Sequence, residues 1–104
     1  MQFSQIRKEI DSVNFDIVRS DDDNYFEAVI LNEETPNLTS KLERFFNLSV
    51  PDTLTSEMKS VVASFGGISY GQTLYFSSQD GVFVFAMLWP WRDGIHTTVK
   101  IIQR

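Results

Sequence analysis

Val82 to Trp89 reads Val-Phe-Val-Phe-Ala-Met-Leu-Trp, eight residues in a row with no charge and no hydrogen-bonding side chain except one indole. A strand with one wet face alternates apolar and polar residues, so an unbroken apolar strand must be covered on both faces of its sheet. What a chain of 104 residues has available to cover both faces therefore governs its fold. A face left bare would in turn govern its function.

That length fits one domain over residues 1–104. With 42% hydrophobic residues and nine Phe, the chain has the material for one packed core without cross-links. Cysteine is absent, which removes disulfides, thiolate metal sites and cysteine nucleophiles together and suits a reducing, cytoplasmic location. Charges interrupt the first ten residues where a secretory signal needs its apolar centre, and the longest apolar run is about half the roughly 20 residues of a spanning helix. A soluble protein without a signal peptide is expected. The net charge is −5, eight of the fourteen acids lie between Asp11 and Glu34, and the nine Lys and Arg form no cluster. Nucleic acid and acidic membrane surfaces, which need a concentrated basic patch, are excluded as expected partners.

Phe3, Ile6, Ile10 and Val13 form one stripe of a first helix. Asn14 to Arg19 and Tyr25 to Leu31 read as a hairpin around the turn-forming Ser20-Asp21-Asp22-Asp23-Asn24. Thr35-Pro36 starts a second helix carrying Leu38, Leu42, Phe45 and Phe46, which stops by Pro51. Thr53 caps a third, with Leu54, Met58, Val61 and Phe65 on one side and Gly66-Gly67 at its end. Gln72 to Ser77, Val82 to Trp89 and His96 to Gln103 then read as a meander, turned at Asp80-Gly81 and at a loop containing Asp93-Gly94. The order α-β-β-α-α-β-β-β predicts an α+β fold: an antiparallel sheet of about five strands with three helices mainly on one face.

Alternation within the strands divides the side chains. Phe15, Ile17, Phe26, Ala28, Ile30, Leu74, Phe76, Val99 and Ile101 can share the helix face, against Asp16, Glu27, Thr73, Thr98 and Lys100 on the other. That other face also receives Val18, Tyr25, Val29 and Tyr75, and one set from the apolar run: Phe83, Phe85, Met87 and Trp89, or Val82, Val84, Ala86 and Leu88. If the bulky set points away from the helices, it leaves an apolar patch of several hundred Å², the size that marks a partner surface.

Catalytic equipment is thin. The single histidine excludes a multi-histidine metal site, and the adjacent Asp21, Asp22 and Asp23 lack calcium-loop spacing. No nucleophile elbow or phosphate loop is present. The densest cluster of unusual residues is Trp89-Pro90-Trp91-Arg92-Asp93-Gly94-Ile95-His96, where proline ends the strand and tryptophan and arginine are hot-spot types.

The expectation is a binding module with no catalysis, cofactor or metal, which pairs with itself as a homodimer or with another protein through the aromatic side of its sheet. Its contact residues would be Tyr75, Phe83, Phe85, Met87, Trp89 and Trp91, with Arg92 and His96 at the margin. The alternative is a small-molecule site or modest enzyme whose pocket at the sheet rim is lined by Trp89, Trp91, Asp93 and His96.

Overall fold

The computed structural model describes residues 2–46, 56–64, 66, 73–79 and 81–104. The expected cap at Thr53, the residues Leu54, Phe65 and Gly67, and the aspartate of the Asp80-Gly81 turn lie outside the described residues. Five strands form one antiparallel sheet: β1 (Ile17–Asp21), β2 (Tyr25–Leu31), β3 (Thr73–Gln79), β4 (Val82–Pro90) and β5 (His96–Gln103), in the spatial order β1-β2-β5-β4-β3. Three helices accompany them, α1 (Gln2–Glu9), α2 (Thr35–Leu42) and α3 (Ser56–Ala63). Short 3-10 turns follow α1 at Ile10–Ser12 and precede α2 at Asn32–Glu34. The α+β class and the strand count are as expected. None of the described helices is long and apolar enough to cross a membrane.

Two apolar clusters, one on each face, hold the sheet. On the first face, Phe3, Ile6 and Ile10 from α1 and its 3-10 extension and Leu38 and Leu42 from α2 pack with Phe26, Ala28, Ile30, Val84, Ala86, Leu88, Val99 and Ile101. On the second face, Val62 of α3 joins Leu74, Phe85, Met87 and Ile102, with Val61, Tyr25, Phe76 and Trp89 packed around them. Side chains of α1 and α2 thus join the first cluster, and Val61 and Val62 of α3 the second. Both faces of β4 are shielded from within the chain, and Val84 through Leu88 are all buried.

Arg7 fixes α1 to the β1–β2 hairpin. Its Nη2 donates to Asp21 Oδ2 at 2.8 Å and its Nε to Asp21 Oδ1 at 3.0 Å, while the guanidinium lies 4.4 Å from the Phe26 ring centroid. Such a bidentate fork both pairs charge and sets orientation.

The bulky set of β4 does point away from α1 and α2, but two details of the expected division are corrected. In the β3–β4 register Phe76 lies opposite Phe85 and Leu74 opposite Met87, so Leu74 and Phe76 belong to the second face. Tyr75 and Thr73, opposite Ala86 and Leu88, belong to the first. Ile17 pairs with Val29 and so also lies on the second face, where it is exposed, as Val18 is opposite Ala28 on the first.

Candidate functional site

The second face carries the predicted contact residues, and the structure separates them into three groups. Tyr75 does not belong there: it is buried on the first face, its ring 5.7 Å from that of Phe46. Burial, reinforced by the Glu43 carboxylate, pushes its phenol above the usual range. Phe85 and Met87 have no exposed surface at all, so neither can touch a partner in the folded chain. They pack with Leu74, Ile102 and Val62 of α3. Phe83 and Trp89 are half-buried, His96 is half-buried, and Trp91 and Arg92 are exposed.

Phe83 and Phe85 share a stack with Phe76. The Phe76 ring lies 5.5 Å from each of them, nearly parallel to Phe85 at 9° and tilted 51° to Phe83. Offset aromatic pairs of this kind add about 0.5–1.5 kcal/mol beyond the area they bury. The stack runs from fully buried Phe85 to half-buried Phe76 on β3, the last strand of the sheet.

Trp91, Asp93 and His96 build a second cluster where β4 turns into β5. Trp91 N–H donates to the His96 carbonyl at 2.8 Å, extending the ladder one residue past Pro90. Asp93 organises the turn: Oδ1 accepts from the backbone N–H of Ile95 at 2.8 Å and of His96 at 3.0 Å, and Oδ2 lies 2.6 Å from His96 Nδ1. Gly94 supplies the positive φ of +70° that this tight return requires. The Trp91 and His96 rings lie 4.8 Å apart, tilted at 34°, and Trp91 Nε1 donates to Thr98 Oγ1 at 2.8 Å. Asp16 stands 3.7 Å from His96 Nε2 on the opposite side of the ring.

Sequence reading missed Arg19, Thr98 and Lys100. Arg19 sits in a register shift between Val18 and Ser20, which brings its guanidinium within 3.4 Å of Glu27 and 5.9 Å of the Trp91 ring centroid. Lys100 Nζ lies 4.0 Å from the Trp89 ring centroid, a cation–π contact. Arg19 reaches Trp91 only through the strand order β1-β2-β5-β4, whereas Thr98 and Lys100 reach Trp91 and Trp89 across the β4–β5 pair.

The backbone N–H of Ile95 and then the His96 ring hold the Asp93 carboxyl below the usual carboxylate range. The Tyr25 hydroxyl does the same to Glu27, helped by Arg19 and Lys100. Burial and Glu27 in turn push the Tyr25 phenol well above its ordinary value. An open groove of about 340 Å³ lies at the end of the sheet opposite the Trp91 cluster, lined by Asp22, Asn24, Tyr25, Ile102, Gln103 and Arg104. Among the described residues no group of three or more His, Asp or Glu side chains is placed to hold a metal ion.

Comparison of the chain with protein-family models, curated proteins and solved structures finds no match.

Proposed function

We propose that the protein is a binding module without catalysis, working in the cytoplasm, which associates with itself through the aromatic side of its sheet. One observation carries this reading: the Phe85–Phe76–Phe83 stack extends from the core to the rim and ends half-covered. A stack that the chain begins but does not finish is what an apolar contact surface requires. The polar groups near Trp91 support the same reading, since Asp93, Thr98 and the Trp91 indole nitrogen are engaged within the chain and leave a small ligand few groups to bond. Size-exclusion chromatography with light scattering at high micromolar concentration tests it. Twice the chain mass is expected, and the mass of a single chain overturns self-association.

A second reading keeps Trp91 as a contact for another protein. Trp91 is 36% exposed yet held in place by Thr98 and His96, with Arg19 and Arg92 exposed beside it. A pre-ordered tryptophan flanked by arginines has the composition of an interface hot spot.

A further inference from the structure

The two edges of the sheet are built differently. β1 is five residues long, breaks register between Val18 and Ser20, and carries Arg19 and Asp21. Shortness, a bulge and charge are the devices by which sheets keep other strands from adding to an edge. β3 has none of them: it is seven residues, Thr-Leu-Tyr-Phe-Ser-Ser-Gln, without charge or proline, in unbroken register with β4 from Thr73–Leu88 to Gln79–Val82. No described residue pairs with its outer side.

The ladder tells which backbone groups that side presents. Phe83 and Arg104 exchange both hydrogen bonds, at 2.6 and 2.7 Å, so odd-numbered β4 residues bond toward β5 and even-numbered ones toward β3. Ala86 and Val84 therefore bond to Tyr75 and Ser77, and the N–H and C=O groups of Leu74, Phe76 and Ser78 point outward.

We infer that the β3 edge is the self-association surface, joining antiparallel to β3 of a second copy about a two-fold axis at Phe76. This inference rests on the self-association reading above. In that register Phe76 faces Phe76 of the second copy as a hydrogen-bonded pair, and Leu74 and Ser78 exchange bonds with Ser78 and Leu74. Opposed residues of an antiparallel pair share a face, so the two Phe76 rings meet on the second face and join the two stacks into one. No like charges oppose each other. The same operation at β1 would set Arg19 against Arg19, which is why the second copy belongs on β3.

Two measurements test the pairing. In wild-type protein, amide hydrogen exchange followed by NMR should show Leu74, Phe76 and Ser78 gaining at least tenfold protection as concentration rises through the dimerisation range. Amides of β1 should not change. Ser78→Pro removes one outward donor and no bond to β4, and should give a folded protein with the mass of one chain. Should that variant fail to fold, Phe76→Cys decides, because the chain has no native cysteine and a hydrogen-bonded pair places the Cα atoms about 5.5 Å apart, within disulfide range. Oxidised glutathione should cross-link Phe76→Cys and leave Val82→Cys uncross-linked. A dimer without protection at β3, or one in which the two cysteine variants behave alike, overturns the edge pairing and leaves self-association standing. A wild-type single chain overturns both, even if the edge then takes a strand from another protein.

Discussion

The indole of Trp89 occupies the space where a side chain on Gly66 would begin: a Cβ there would stand 2.1 Å from Cη2 and 2.7 Å from Cζ2. Gly66 also has φ of +111°, in the region that favours glycine, just past the end of α3. The position thus needs glycine for two independent reasons, and together they seat the end of α3 against β4. Gly66→Ala should lower stability by about 2–4 kcal/mol, combining backbone strain with overpacking. Urea unfolding measures the loss. Trp89→Phe should relieve part of it, since a smaller ring frees the space, and its own cost is reduced because the buried Trp89 Nε1 has no hydrogen-bond partner among the described residues. A double-mutant cycle with no coupling would show that the contact does not bear on stability.

Phe85 separates a contact surface from a core. Placed on an exposed aromatic face, it would tolerate aspartate and yield a folded single chain. Buried with no exposed surface beneath α3, it will not. Phe85→Asp should cost more than about 4 kcal/mol, because it deletes a large apolar side chain and buries an unpaired carboxylate. Loss of far-UV circular dichroism and of a cooperative thermal transition is the expected result.

The fate of that residue shows how much the chain disclosed in advance. The unbroken apolar run correctly demanded cover on both faces of β4, and the α+β class followed from element order. The missing step was register. Gln79 stands opposite Val82, and that register places Phe76 opposite Phe85. The side-chain pattern of β3 alone did not say so, since Leu74, Tyr75 and Phe76 are all apolar enough for either face. The helices were harder still. Amphipathic spacing shows that α3 buries a side, but not which side of the sheet receives it. The approach of Arg19 to the Trp91 indole depends on β5 lying between β2 and β4, a non-consecutive neighbour relation without any local signal, while Thr98 reaches it across the β4–β5 hairpin.

The Trp91–Thr98 bond gives a test of that cluster apart from overall folding. Thr98→Val keeps the shape and removes only the acceptor for Trp91 Nε1. Because the indole is partly exposed, water can take the acceptor's place, and the cost should be at the low end of the range for one hydrogen bond, about 0.5–1 kcal/mol. The sharper readout is fluorescence: the freed indole should emit further to the red and be quenched more readily by iodide. Unchanged emission together with unchanged quenching would mean that the bond does not hold the ring.

Four carboxylates among the described residues set the response to acid. Asp21 is held below its usual range first by the hydrogen bonds from Arg7, Glu27 by the Tyr25 hydroxyl, Glu34 by the Asn37 side chain, and Asp93 by the backbone N–H of Ile95. A carboxylate whose folded pKa is depressed contributes stability that is present above its unfolded value and lost as pH falls through the folded one. Stability should therefore be level from pH 7 down to about 5 and decline below about 4, where unfolded carboxyls take up protons first. Tyr25 acts at the other extreme. Its raised phenol pKa means that the folded state keeps a proton which the unfolded state gives up, so stability should fall as pH rises above about 10. Tyr25→Phe should make the alkaline limb shallower, leaving the part that the raised phenol of Tyr75 contributes, and, by removing the donor to Glu27, shift part of the acid limb to higher pH. Urea midpoints measured from pH 3 to 11 for both proteins check this. An alkaline limb identical in the two would assign it to another group.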